Sequence, residues 1–284
     1  MSSLRKLKES AAGLLRSFSG SNLRSKLYKF YDAAQDALAP GLRNSQYAHK
    51  EALNSWVMTG IRWLDLGCGH QLLPEWMPSA KEEQAALVRR PKMVVGIDAD
   101  IASLRKNIVF RHRVLGDIGH LPFANGTFDL VTANMVVEHV QDPRAMLTEV
   151  RRVLKPNGIF LFHTPNLWGY TTLVACLLPR SLKLRLIRFL QAMKEEDVFP
   201  ASYRINTAGR VHELAQEHGF SVLVLNLIES STQTVMLGPV VIAELLLIRA
   251  LRLRPLQKLR TNIIAALHKP TCNAGISVFA QGRR

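Results

Sequence analysis

Short apolar runs recur along this chain, with room for a helix between most successive pairs. They read as strands near 62–66, 93–97, 112–116, 128–133 and 158–163. Most show little polar alternation, which suits strands of a parallel sheet covered on both faces. Between the last two, Met146, Leu147, Val150, Val153 and Leu154 form one helical stripe. Asp142 is placed to cap that helix, Pro143 suits its first turn, and Lys155-Pro156-Asn157-Gly158 ends it. Further on, 207–218 reads as a helix and 220–227 as a sixth strand. Upstream, 2–21 and 23–37 have helical spacing, the first with a basic face of Arg5, Lys6, Lys8 and Arg16. Tyr28, Phe30 and Tyr31 on the second either line a site or pack against the core.

The first strand breaks into Gly67-Cys68-Gly69, and the second, Met93-Val94-Val95-Gly96-Ile97-Asp98, ends in a carboxylate. Paired glycines let backbone approach a ligand closely, and a helix starting there would aim its free N–H groups at the same spot. Two adjacent strand ends of an open α/β sheet are where such folds hold a nucleoside. A dinucleotide fingerprint needs a third glycine where Leu72 stands and an acid nearer than Asp98. A phosphate-binding P-loop needs Gly-Lys-Ser/Thr, which His70-Gln71 does not supply.

Five blocks succeed one another in order. They are Asp65-Leu66-Gly67-Cys68-Gly69, Asp98, Gly116-Asp117-Ile118-Gly119-His120-Leu121-Pro122-Phe123, Thr127 to Asn134 with Glu138-His139-Val140, and Leu154-Lys155-Pro156-Asn157-Gly158-Ile159-Phe160-Leu161. The series resembles the type 11 methyltransferase domain among the class I S-adenosylmethionine-dependent methyltransferases, over about 61–166. It departs from the family pattern at Gln71, where a small residue is common. The resemblance implies a doubly wound, seven-stranded, mostly parallel Rossmann-like sheet with N-terminal helices and helical insertions. It puts the seventh, antiparallel strand at 275–280. The implied domain plan is a basic helical cap over 1–55 and a methyltransferase domain over 56–284. Within the latter come a substrate-covering insertion at 165–206 and a basic apolar helical insertion at 235–270.

The cofactor implied is S-adenosyl-L-methionine. By resemblance Asp98, with Ala99 beside it, takes the ribose hydroxyls, and Asp117 with the Ile118 backbone takes the adenine. Asp65 orients the turn formed by Gly67, Cys68 and Gly69 and reaches toward the methionine ammonium. Asn134 faces the same crevice. A sulfonium methyl is already activated, so alignment carries much of such a reaction, and a proton acceptor is harder to read. His139 and His163 are the candidate bases. Tyr203 and Arg204, in a hydrogen-bonding stretch at the expected mouth, are candidate acceptor contacts.

Composition narrows the partners. The 284 residues are 48% apolar and carry a formal net charge of +15, which favours anionic partners without specifying a reaction. Cys68, Cys176 and Cys272 are too few and scattered for a disulfide framework or a zinc site. No metal is expected, and the thiols point to a reducing, cytoplasmic setting. Basic residues interleave with apolar ones at 173–193 and 235–260. That pattern allows peripheral attachment to an anionic membrane at its inner face, or a buried helix with a solvated end. The expected acceptor is a small molecule or a lipid-linked or glycan-type molecule. An RNA target is disfavoured because Asn134-Met135-Val136-Val137 stands where base-amino methylation shows Asn/Asp-Pro-Pro-aromatic. The rivals are a non-enzymatic membrane- or partner-binding adaptor on the same fold and, less well matched by glycine spacing, an oxidoreductase. Oligomeric state is not legible.

Overall fold

The computed structural model describes residues 23–177, 201–232, 234 and 239–271. One sheet holds seven strands in the order β3-β2-β1-β4-β5-β7-β6. In chain order they are β1 Arg62–Leu66, β2 Met93–Asp98, β3 His112–Leu115, β4 Phe128–Asn134, β5 Leu154–Pro165, β6 Ser221–Ile228 and β7 Asn262–His268. β1 to β5 run parallel, and β7 lies antiparallel between β5 and β6. Strand order reverses between β1 and β4, so their carboxyl ends open the crevice typical of doubly wound sheets.

The helices are α1 Leu23–Leu38, α2 Ser45–Trp56, α3 Ala80–Arg89, α4 Ile101–Lys106, α5 Pro143–Val153, α6 Tyr170–Leu177, α7 Ala208–Glu217 and α8 Val240–Ala250. Asp142 caps α5 by accepting from Arg144 N at 2.9 Å and Ala145 N at 3.1 Å. The stripe Met146, Leu147, Val150 and Val153 is wholly buried. It packs with Phe128, Phe160 and Phe162 on one face of the sheet. The other face joins Trp63, Leu87, Phe110 and Leu161. A third apolar cluster sits between α1 and α8: Phe30, Tyr31 and Ala34 pack against Val241, Leu245 and Ile248. Phe30 and Tyr31 are thus packing residues, and Tyr28 is exposed.

The observed elements depart from the sequence expectations in two ways. The seventh strand is Asn262–His268, inside the stretch expected to be a helical insertion, which ends with a 3-10 turn at Arg254–Leu259. The expected strand at 275–280 lies outside the described residues, as do the first basic helix at 2–21 and most of 173–193. Nor does a helix open directly after Gly69, because α3 starts only at Ala80. No helix among the described residues is long and apolar enough to cross a membrane.

Candidate active site

The register sets Asp65 beside Gly96 on one side and Thr132 on the other. Both neighbours shape the site. Trp63 Nε1 donates to Thr132 Oγ1 at 2.7 Å, and the Thr132 hydroxyl donates to Asp65 Oδ1. Asp65 is 6% exposed. Burial, with a smaller push from the Asp98 charge, raises its carboxyl to about 7 against the lowering effect of Thr132. Gly96 is small for another reason. A Cβ there would lie 2.7 Å from Cys68 Sγ and 3.1 Å from Phe110. The Cys68 side chain therefore fills the core under the turn, and burial pushes its thiol well up. Only its backbone belongs to the turn.

Both turn glycines have positive φ, +60° at Gly67 and +50° at Gly69. Their surroundings differ. A Cβ on Gly67 would meet Val136 Cγ2 at 2.4 Å, whereas one on Gly69 would meet nothing within 4 Å. Gly69 therefore borders open space. Its N–H donates to Asp98 Oδ2 at 2.8 Å, and Asp98 Oδ1 accepts from Asp100 N at 2.8 Å. Each carboxylate oxygen keeps a further lone pair.

Asn107 holds the turn from behind, a role no sequence motif indicated. It is fully buried and donates to Gly69 O at 2.8 Å and Cys68 O at 3.3 Å. Its Oδ1 accepts from Val109 N at 3.0 Å and Phe110 N at 3.1 Å.

Asp117 stands one residue past Gly116, whose N–H donates to the Asp98 carbonyl at 3.0 Å. Its carboxylate is exposed and accepts from Gly119 N at 3.0 Å, with His120 Nδ1 at 3.2 Å. These bonds hold its pKa below the usual carboxylate range. Ile118 comes next, half-buried, and Ala99 is exposed beside Asp98.

At the end of β4, Asn134 Nδ2 donates to Gln46 Oε1 of α2 at 2.9 Å. Asn134 Oδ1 then accepts from His163 Nδ1 at 2.9 Å. His163 is fully buried and stacks on His49 with centroids 5.5 Å apart. Burial lowers both imidazoles, His49 to about 4 and His163 well below its ordinary value. His163 is thus a neutral interior group fixing Asn134, and the geometry does not offer it as a base open to an acceptor. No sequence motif pointed to Gln46 or His49. Asn44, whose side chain accepts from Gln46 N at 3.0 Å, is the cap that marks their helix.

His139 is partly exposed in the 3-10 turn Val137–His139 directly after β4. Ser202 N and Tyr203 N both donate to Glu138 O, at 2.6 Å and 3.0 Å, docking the 201–207 stretch there. Tyr203 is half-buried, with burial raising its phenol, and Arg204 is exposed. Two non-glycine residues here have left-handed backbone, Met135 at φ +54° and Tyr203 at φ +50°. Each costs about 1 kcal/mol or more, the kind of strain that persists where surrounding contacts enforce it. Among the described residues no three metal-ligating side chains come together.

A seven-stranded sheet of this order, with a glycine turn at β1 and a carboxylate at the end of β2, defines the class I S-adenosylmethionine-dependent methyltransferase fold. Residues 64–162 match the family model of a methyltransferase domain. An uncharacterized methyltransferase of Schizosaccharomyces pombe is 31% identical over 137 residues, which are 46% of this chain and 48% of that protein. A ubiquinone biosynthesis O-methyltransferase of Xanthomonas oryzae is 33% identical over 109 residues, 38% of this chain and 45% of that protein. The chain thus spans about half the length of these curated relatives. Among solved structures, a chain in the complex of the Haloferax volcanii Trm112 methyltransferase activator with a methyltransferase superposes with a TM-score of 0.52. It is 17% identical, and the match covers 89% of this chain and 99% of that one.

Proposed function

We propose that this protein transfers a methyl group from S-adenosylmethionine to a small-molecule acceptor. The observation that carries the reading is the junction of β1 and β2. There the Asp98 carboxylate is clamped by Gly69 N and Asp100 N while the Gly69 side stays open. The residues fit the cofactor. Asp98 offers its remaining lone pairs to the ribose hydroxyls, with Ala99 alongside, and Asp117 and the Ile118 backbone take the adenine. Asp65 faces the ammonium, and the backbone of Gly67, Cys68 and Gly69 lets the ligand approach closely. Asn134, held from both sides, forms the wall toward the acceptor.

When bound, S-adenosylmethionine supplies a methyl group activated by the positive charge on sulfur. The chain's own part is then alignment and proton handling. Gln46 and His163 fix Asn134, so that wall needs no reorganisation on ligand binding. His139 is the proton acceptor for an acceptor hydroxyl or acidic carbon. Tyr203 and Arg204 lie on the acceptor side, in the stretch docked on Glu138. The domain plan assigns 56–284 to catalysis and 1–55 to a cap, and α2 with its contact to Asn134 is consistent with a cap that closes on the crevice.

The finer reading is a lipid-linked or glycan-type acceptor met at an anionic membrane surface. Its support is α8 together with the 3-10 turn after it. Val240, Leu246, Leu247 and Leu253 are exposed apolar residues on the same stretch as the exposed Arg249, Arg254 and Lys258. This combination suits a surface laid on anionic headgroups.

Calorimetry with S-adenosylhomocysteine tests the core of the proposal. Micromolar binding by the wild type and its loss in Asp98→Ala are expected, and no heat of binding to the wild type overturns it in favour of an adaptor. Labelled cofactor with fractionated extract then reads the acceptor class, label in RNA counting against the small-molecule reading. Flotation with anionic vesicles at low salt tests the membrane element, which fails if the protein stays in the dense fraction.

A further inference from the structure

Directly beside His139 lies a buried acid that none of these roles uses. Glu138 is 4% exposed. Its Oε2 accepts from Thr164 Oγ1 at 2.8 Å, and Thr164 Oγ1 accepts in turn from Asn206 Nδ2 at 2.6 Å. Asn206 Nδ2 also donates to the Pro165 carbonyl at 2.9 Å, which fixes which end of that amide is nitrogen. Since an amide nitrogen only donates, the single Thr164 hydroxyl proton is committed to Glu138 Oε2. A proton on Glu138 therefore belongs on Oε1. That oxygen faces His139 Nε2 at 3.9 Å, beyond hydrogen-bond length yet within ion-pair range.

We propose that Glu138 is a positioning residue for His139, its buried carboxylate facing the imidazole Nε2 across 3.9 Å and stabilising the positive charge that the ring takes on. The inference rests on the methyltransferase reading only for its use in turnover. In that use the acceptor's O–H or C–H proton passes to His139. The electron pair left behind stays on the acceptor atom to take the methyl group, and the positive charge ends on the imidazole beside the Glu138 carboxylate. The relay gives the pair its direction, because Asn206 donates to Thr164 and Thr164 to Oε2, so that Oε1 is the oxygen toward the imidazole. Burial raises the Glu138 carboxyl, against the lowering effects of a backbone hydrogen bond, Thr164 and the His139 charge. Other titratable groups around the pair are the Tyr203 phenol, from the docked 201–207 stretch, and the Cys176 thiol of α6, which with Glu138 raises that phenol. The same residue also anchors the expected acceptor side, since its carbonyl takes Ser202 N and Tyr203 N.

The test is the NMR titration of the His139 ring in the full chain, which needs no turnover. Glu138→Gln is expected to lower the His139 midpoint by about one pH unit, a tenfold change in proton affinity. The acid limb of the rate profile should move by a similar amount. Thr164→Val keeps the carboxylate and removes the donor to Oε2, and it should move the midpoint in the same direction by less. It also serves as the second variant should Glu138→Gln not fold. An unmoved midpoint in a folded variant overturns the pairing. S-adenosylhomocysteine calorimetry on the same samples separates the two ideas. Intact binding with an unmoved midpoint sinks the pair alone, whereas absent binding to the wild type sinks the methyltransferase reading.

Discussion

The backbone N–H of Gly69 donates to Asp98 Oδ2 at 2.8 Å, joining the turn after β1 to the last residue of β2. With Oδ1 taken by Asp100 N, both oxygens of one carboxylate are committed to backbone donors. Two N–H groups from separate segments therefore depend on a single side chain for satisfaction. The carboxylate is held in place before any ligand arrives, so its ordering cost is met in folding.

Asp98→Asn is the sharpest test of this junction. An amide offers one acceptor oxygen, so one of the two N–H groups loses its partner and faces an NH2 group instead. An unsatisfied donor costs about 1–3 kcal/mol. The expected result is a thermal midpoint lowered by several degrees and cofactor affinity weakened by about two orders of magnitude, measured by scanning calorimetry and titration. Unchanged affinity would show that the carboxylate serves only the turn.

The two turn glycines should fail differently. Gly67→Ala combines a left-handed φ of +60° with a Cβ set 2.4 Å from Val136 Cγ2, so either the turn or Val136 must move. Gly69→Ala meets no atom within 4 Å and carries only the conformational cost, about 1–2 kcal/mol. Denaturant melts should rank Gly67→Ala well below Gly69→Ala in stability. Affinity for S-adenosylhomocysteine should fall in both, because the open side of Gly69 is where the ligand approaches. A Gly69→Ala protein that binds the cofactor normally would place the ligand elsewhere.

Asn107→Leu is expected to destabilise the protein by about 3 kcal/mol, since it orphans two carbonyls and two N–H groups in the interior. Cofactor affinity should fall with it as Gly69 loses its brace, read by urea melts and titration on the same preparation. Stability loss with full affinity would mean that the turn keeps its shape unaided.

Asn107 also marks where sequence patterns stop informing. The strands were legible because runs such as Trp63 to Leu66 and Val94 to Ile97 are buried throughout, with little polar alternation to confuse them. The α5 boundaries were legible because Asp142 and Pro143 act locally. Asn107 acts on carbonyls 38 and 39 residues away, and nothing near it in the chain announces that reach. β7 escaped for a related reason. Asn262 to His268 is a short apolar run behind a basic stretch, and only its pairing with β5 and β6 makes it a strand. His163 lies at its expected strand end, yet its burial against His49 depends on α2, a helix with no strong apolar stripe to announce it.

Opposed titrations make the last prediction. Asp65 is raised from 3.8 to about 7 by burial, so between those values the folded protein binds a proton that the unfolded chain has released. Stability from this group is full at low pH and is lost as pH rises toward 7. His49 is lowered from 6.5 to about 4, so in that window the unfolded chain binds the extra proton. Its contribution is lost as pH falls from 6.5 to 4, by at most about 3 kcal/mol, and His163 tilts the curve the same way. Wild-type stability between pH 4.5 and 6.5 should therefore climb gently with pH, the Asp65 slope offsetting one of the two histidine slopes. Asp65→Asn should make stability climb steeply with pH over this range, whereas His49→Phe should flatten or invert the trend. Urea melts at half-unit pH intervals read both, and equal slopes in the two variants would show that neither group titrates as its burial implies.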